Sequence, residues 1–203
     1  MRYDETHKQE TRKRVVKAAA AAVRARGPDG VSVSEIMGEV GLTHGGFYAH
    51  FPSKDALLAE AVREAFAQSR GRVPLYDDAL ANDEALARFV DGYVAAEHRD
   101  HPERGCVIAA MSSHLPRQGP AMREVFDAGV GRLIESIASR LAAVPPEERE
   151  GLAGSLLAEM SGAVALARAV SDRTLSDRLL AGSRRRIKAR MGLPSHFIDK
   201  DPA

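Results

Sequence analysis

Apolar residues recur along this chain every three or four positions, in stretches cut by proline. In residues 11–26 Val15, Val16, Ala19, Ala22 and Val23 form one stripe, with Arg and Lys opposite. That spacing is the signature of an amphipathic helix. Residues 83–98 group Leu86, Phe89, Val90 and Tyr93 in the same way. Residues 121–143 group Met122, Val125, Phe126, Val130, Leu133, Ile134, Ile137 and Leu141. Pro145 and Pro146 open a further helix reaching about Val170, with Glu147 and Glu148 suited to its positive N-terminal end. A last helix covers residues 175–191, with Leu175, Leu179, Leu180 and Ile187 as its stripe. Pro28, Pro52, Pro74, Pro102, Pro116, Pro120, Pro194 and Pro202 mark other ends and starts, because proline disrupts helix interiors. No Val/Ile/Thr alternation is long enough for a sheet, and no internal repeat is present. The pattern predicts an all-α chain of about nine helices.

Residues 32–68 read differently, as short helices with tight joints. Ser32-Val33-Ser34-Glu35 is a capping box, and Val31 and Ile36 stand where a hydrophobic staple forms. Gly41 sits where a left-handed residue ends a helix. Thr43 can cap a second short helix over residues 44–50, and Ser53 a third from Lys54 onwards. Helix, glycine-containing turn and helix make a helix-turn-helix.

The second short helix carries the candidate chemistry. Phe47 and Phe51 are its apolar anchors, expected to pack with Ile36, Val40 and Leu42; His44, Gly45, Tyr48 and Ala49 lie on the other face. Each of Gly45 and Gly46 costs a helix about 0.8–1 kcal/mol relative to Ala. Close approach of a DNA major groove to the backbone explains both, since that groove admits one α-helix. Tyr48, His50, Lys54, Thr43 and the helix N-terminus can hold phosphates. A helical hairpin with a solvated polar face is the plainer alternative.

Gly41-Leu42-Thr43-His44-Gly45-Gly46-Phe47-Tyr48-Ala49-His50-Phe51-Pro52-Ser53-Lys54-Asp55-Ala56-Leu57 resembles the recognition segment of TetR/AcrR-type transcriptional regulators. The resemblance covers residues 9–70, including the connecting helix from Lys54. It implies an N-terminal helix-turn-helix DNA-binding domain over residues 1–52 and a helical ligand-binding and dimerisation domain over residues 73–203. It implies phosphate contacts from Tyr48 and Lys54, further backbone contacts from Thr43 and His50, and a base contact from His44. The sequence departs from the family at Gly46 and Ala49, where larger polar residues are common. Both departures remove hydrogen-bonding groups. Base readout is therefore expected to be thin, with a thymine-methyl contact from Ala49 and added weight on Ser34.

For the remaining two-thirds the resemblance implies a homodimer, two recognition helices about 34–36 Å apart on a near-palindromic operator, and a small-molecule effector. The helix after Pro146 carries Gly151, Ala153, Gly154, Ser155, Ala158, Ser161, Gly162 and Ala163, which allow close helix approach. Candidate pocket residues are Phe66, Phe89, Tyr93, Met111, His114, Met122, Phe126 and Met160; each is also a plain core residue by type. Cys106, after Arg104 and Gly105, stands where basic neighbours and a helix start favour a thiolate. It resembles the cysteines of electrophile- and oxidant-sensing members, and a small buried hydrophobe is its alternative. His98 and His101 lack a third ligand, so no metal is expected. Arg184-Arg185-Arg186-Ile187-Lys188-Ala189-Arg190 reads as a solvated helix face.

Composition narrows the rest. Of 203 residues, 5% are aromatic and one is cysteine, so a disulfide framework and a Cys-rich zinc site are excluded. No signal-peptide pattern or membrane-length apolar run occurs, which predicts a soluble cytoplasmic protein. Cys106 and His114 are two helical turns apart, and no phosphate loop, nucleophile elbow or paired-carboxylate motif appears, so no enzyme and no cofactor are expected. The expectation is a ligand-responsive repressor released from its operator by a small molecule. The alternatives are a sensor acting through Cys106, or a helical adaptor with weakened DNA binding. The net charge of +1 hides an asymmetry: residues 1–72 carry 12 Lys and Arg against 9 Asp and Glu.

Overall fold

A computed structural model describes residues 2–70 and 73–194. The domain limits expected at residues 1 and 203, and Pro202, lie outside them. Among the described residues every regular element is helical. In chain order these are α1 (Arg2–Arg26), α2 (Val33–Glu39), α3 (Lys54–Arg70), α4 (Asn82–Tyr93), α5 (Ala96–Asp100), α6 (Val107–Met111), α7 (Pro120–Arg140), α8 (Pro146–Ala169) and α9 (Arg173–Arg190). Single 3-10 segments cover His44–Ala49, Pro74–Tyr76, Pro102–Arg104 and Leu115–Arg117. Three of the four carry a proline in the first turn, where its missing N–H is no loss.

Packing groups the chain into two units. One joins the residues up to Ser69 with Pro102–Gly129; the other joins Arg70–His101 with the residues from Val130 onward. The segment after Pro102, which the family pattern assigns to the ligand-binding part, is thus packed with the N-terminal helices. In this first unit Val15, Ala19 and Val23 of α1 bury against Ile36 and Met37 of α2, Phe47 and Phe51 of the recognition segment, and Leu57, Ala61 and Val62 of α3. Val107 and Met111 of α6, Leu115 and Met122 join the same core. Gly27 leaves α1 in the left-handed region, φ +71°, and the His114 ring lies on it.

In the second unit Leu86, Phe89 and Val90 of α4 are buried, as are Ile137 and Leu141 of α7. So are Leu156, Met160 and Val164 of α8, and Leu180 and Ile187 of α9. α8 is long and apolar enough, by length and composition alone, to cross a membrane. It packs along α9, as a core helix does.

Two expectations are corrected in this unit. The helix expected over residues 83–98 breaks after Tyr93, where Val94 and Ala95 leave helical geometry. The carbonyls freed by the break find partners: His98 Nδ1 donates to Tyr93 O at 2.6 Å, and Arg184 donates to Val94 O at 3.3 Å. Second, the basic run on α9 is not simply a solvated face. Lys188 is buried and donates to Asp91 Oδ2 at 2.7 Å, while Arg184 Nε lies 4.0 Å from Asp91 Oδ1. Arg185, Arg186 and Arg190 of the run are exposed, with Arg190 on Glu159.

Candidate nucleic-acid interface

The recognition segment is built on a helix ending that its sequence specifies. Ser32 caps α2 by accepting from the Glu35 N–H. At the other end Gly41 adopts φ +76°, Leu42 N donates to Met37 O at 2.9 Å and Gly41 N to Gly38 O at 3.0 Å. This pair of bonds is a Schellman motif, and it fixes the chain reversal after α2. Residues His44–Ala49 then form a 3-10 segment where a short α-helix was expected, and they contain the two adjacent glycines. Thr43 holds the N-cap position, but its side chain makes no capping bond, contrary to expectation. Ser53 does cap α3, accepting from Ala56 N at 3.1 Å.

Phe47 and Phe51 turn inward and stack with ring centroids 5.6 Å apart. The opposite face is open. Thr43, His44, Gly45, Tyr48 and Ala49 are exposed, Tyr48 to 69%; Gly46, His50 and Lys54 are half-buried. Ser34, exposed on α2, lies 3.1 Å from His44 Nδ1 through its hydroxyl. The nine residues expected to touch DNA therefore lie on α2, on and beside the 3-10 segment, and at the start of α3, and most of them are exposed. Burial, then the positive charges of Lys8 and Arg12, lower the pKa of His50 and favour its neutral ring.

What the sequence did not reveal is how the segment is held. Arginines on the polar face of α1 reach across the unit. Arg12 pairs with Glu60 of α3, donates to His50 O at 3.4 Å and lies 4.7 Å above the Phe51 ring. Arg14 donates to Val40 O at 2.7 Å. Arg24 reaches Gln68 at 2.8 Å, and Arg26 pairs with Glu35 at 3.0 Å. These partners lie 9 to 48 residues away along the chain, so no local spacing signals them.

The eight pocket candidates fall into two groups. Met111, Met122, Phe126 and Phe66 belong to the first unit, with Phe66 and Phe126 edge to face at 5.9 Å. His114 is also there, its Nδ1 3.7 Å from the Asp29 carboxylate. Phe89, Tyr93 and Met160 are buried in the second unit, where Tyr93 OH bonds Ser161 Oγ at 2.8 Å. A cavity of about 450 Å³ in the second unit is polar, lined by residues including Arg70, Tyr76, Asn82, Ser136 and Arg140, and by none of the eight. Cys106 is half-buried at the N-cap of α6. Among the described residues no group of three His, Cys, Asp or Glu could hold a metal ion.

This arrangement is a helix-turn-helix presented on a helical scaffold. Residues 15–61 match the family model of the bacterial regulatory proteins of the tetR family. An HTH-type transcriptional regulator of Mycobacterium tuberculosis H37Rv is 29% identical over 178 residues, covering 82% of this chain and 88% of its own. The HTH-type regulator YdgC of Bacillus subtilis is 41% identical over 61 residues, covering 30% of this chain and 31% of its own. A TetR transcriptional regulator from Chloroflexus aurantiacus has a similar structure, with a TM-score of 0.74 and 29% identity, covering 90% of this chain and 96% of that one. A TetR-family regulator from Agrobacterium tumefaciens shares the fold at a TM-score of 0.76 and 20% identity, covering 90% and 98%. Over residues 15–61 the chain matches the tetR-family model, and over most of its length it is similar to transcriptional regulators of that family.

Proposed function

We propose that the protein is a cytoplasmic, ligand-responsive repressor that binds a near-palindromic DNA operator as a homodimer and leaves it when a small molecule binds. The observation that carries the reading is the exposed face of residues 43–49, held rigidly from behind by Gly41 and the α1 arginines. Tyr48 and Lys54 anchor phosphates, with Thr43 and His50 beside them. Gly45 and Gly46 let the backbone approach the groove: a Cβ at Gly45 would meet no atom of the chain within 4 Å, and one at Gly46 only Met37 and Thr43 at ordinary contact distance. Nothing in the packing around them requires glycine at either position.

Dimerisation is assigned to α8 and α9. After the exposed glutamates of its first turns, the outward positions of α8 are small or apolar, namely Gly151, Ser155, Ala158, Gly162, Ala165, Leu166 and Ala169, with Leu166 59% exposed. Leu175 on α9 is 37% exposed. A second copy covering these faces would remove apolar surface from water. An effector site is assigned within one unit, to Phe66, Met111, Met122 and Phe126 of the first or to Phe89, Tyr93 and Met160 of the second; either set suits a largely apolar molecule.

The test is retardation of duplex DNA from the gene's own upstream region by purified protein. Tyr48→Phe with Lys54→Ala is expected to weaken binding at least tenfold and to flatten its salt dependence, with the sedimentation of the dimer unchanged. Absence of retardation by the unaltered protein at low salt would overturn the reading. Cys106 supports a second reading, sensing of electrophiles or oxidants, because it starts α6 in the segment packed against α1. Release of DNA by such agents that persists in Cys106→Ser removes it.

A further inference from the structure

Ser34 and His44 lie on opposite sides of the Gly41 turn, and their side chains meet at 3.1 Å. Among the described residues this is the one hydrogen bond of either side chain. A serine hydroxyl has one proton to donate, and the acceptor facing it is His44 Nδ1. When Ser34 donates, the imidazole proton resides on Nε2. When the ring is protonated, Nε2 carries a proton as well. The other neutral tautomer, with Nδ1–H donating to Ser34 Oγ, would leave Nε2 an acceptor; the arrangement in which Ser34 donates gives His44 a donor on its far edge. The ring is exposed, and Gly45 beside it leaves open space. In a 3-10 segment residues three apart eclipse, so Tyr48 shares a face with Gly45 rather than with His44. His44 thus has a clear approach to the groove.

We propose that Ser34 is a positioning residue for His44, fixing its ring so that Nε2–H is aimed at a guanine edge in the major groove. This rests on the operator-binding reading above. A single outward donor discriminates among bases. Guanine offers two acceptors, N7 and O6, and no donor; thymine offers one acceptor, O4, beside its methyl group, adenine sets an amino donor beside its N7, and cytosine offers only a donor. Ser34 is too short to read a base while it bonds His44, so its part in specificity is indirect. Readout through one oriented imidazole also compensates for the hydrogen-bonding groups absent at Gly46 and Ala49.

The experiment is selection of bound sites from a random duplex library with the full-length protein, followed by titration of the selected duplex and its single-base variants. A guanine is expected at one symmetric position per half-site. Replacing it with any other base should weaken the unaltered protein about 3- to 10-fold, the range of one neutral hydrogen bond. In His44→Ala that penalty should disappear, and in Ser34→Ala it should shrink. Ser34→Thr, which retains the hydroxyl, should restore it. Phosphate-driven affinity for a non-specific duplex should be the same in all four proteins. A guanine preference that survives both alanine substitutions overturns the proposal while leaving operator binding intact. Failure to enrich any sequence overturns operator binding, and this inference with it.

Discussion

The two units use their charged side chains in opposite ways. In the first, Arg12 ties down the recognition segment and Arg26 pairs with Glu35 of α2, both partly in water, their side chains 40% and 43% exposed; Arg24, buried beside Gln68 of α3, is the exception. His44, Tyr48 and Thr43 are left exposed. In the second, Asp91, Arg99, Arg140 and Lys188 are buried. Arg140 donates to the carbonyls of Leu75, Asp77 and Leu80 and so pins the loop before α4. Arg99 and Arg173 hold the Asp100 carboxyl well below the usual carboxylate range, Arg173 contributing most. An exposed ion pair contributes little to stability and remains available to a partner. A buried one is part of the scaffold, and removing half of it leaves a charge without compensation.

The sharpest way to break that contrast is to remove one buried partner. Lys188→Met leaves Asp91 enclosed, with Arg184 Nε no nearer than 4.0 Å. Unfolding free energy in urea should fall by about 3–5 kcal/mol. Lys188→Met combined with Asp91→Leu should recover most of the loss, because the buried charge is then gone. Arg26→Ala, in the first unit, should cost less than about 1 kcal/mol. Equal losses for Lys188→Met and Arg26→Ala would show that burial does not separate the two units.

Glycines give a second contrast, within the first unit itself. A Cβ on Gly129 would lie 2.3 Å from the Phe66 ring, and one on Gly27 2.9 Å from the His114 ring, at a φ of +71°. Gly129→Ala and Gly27→Ala should each destabilise by about 1–3 kcal/mol in thermal or urea unfolding. Gly45→Ala meets open space. It should leave stability unchanged or raise it by about 0.5 kcal/mol, while weakening DNA retardation. Loss of stability in Gly45→Ala would place that glycine with the packing residues instead.

The legible parts of this chain were those set by neighbours in sequence. The Ser32 cap, the Gly41 stop, the Ser53 cap and the inward Phe47 and Phe51 follow from local chemistry, and the structure has each of them. The proline-bounded helices α7, α8 and α9 lie within a few residues of their expected ends. Parts set by tertiary partners were not legible. Residues 83–98 carry an unbroken helical stripe, yet the break after Tyr93 is stabilised by His98 and by Arg184, which is 90 residues from Val94. The α9 basic run looks uniform in sequence, and only Asp91, 97 residues from Lys188, makes that lysine different. Among the contact candidates, the Ser34–His44 bond depends on a turn geometry that residue types alone do not give.

A pH-dependent effect concerns the same break in the second unit. His98 is mostly enclosed, its ring edge to face with Tyr93 at 4.7 Å. Burial lowers its pKa to about 4; the Tyr93 carbonyl opposes the shift, and Arg168, which donates to the His98 carbonyl, adds to it. The unfolded ring titrates near 6.5. The folded state therefore disfavours the charged ring. Its stabilising contribution is complete above pH 6.5 and is lost as pH falls from 6.5 toward 4. Between pH 7 and pH 5 the loss should be about 1–2 kcal/mol, after allowance for the part of the ring that water reaches. His98→Gln, neutral throughout, should flatten this segment of the stability curve while lowering its plateau, because the contact with Tyr93 O is altered. Urea unfolding at half-unit pH steps measures both. A slope unchanged by His98→Gln would assign the acid sensitivity to other groups and leave the α4–α5 break without a titrating partner.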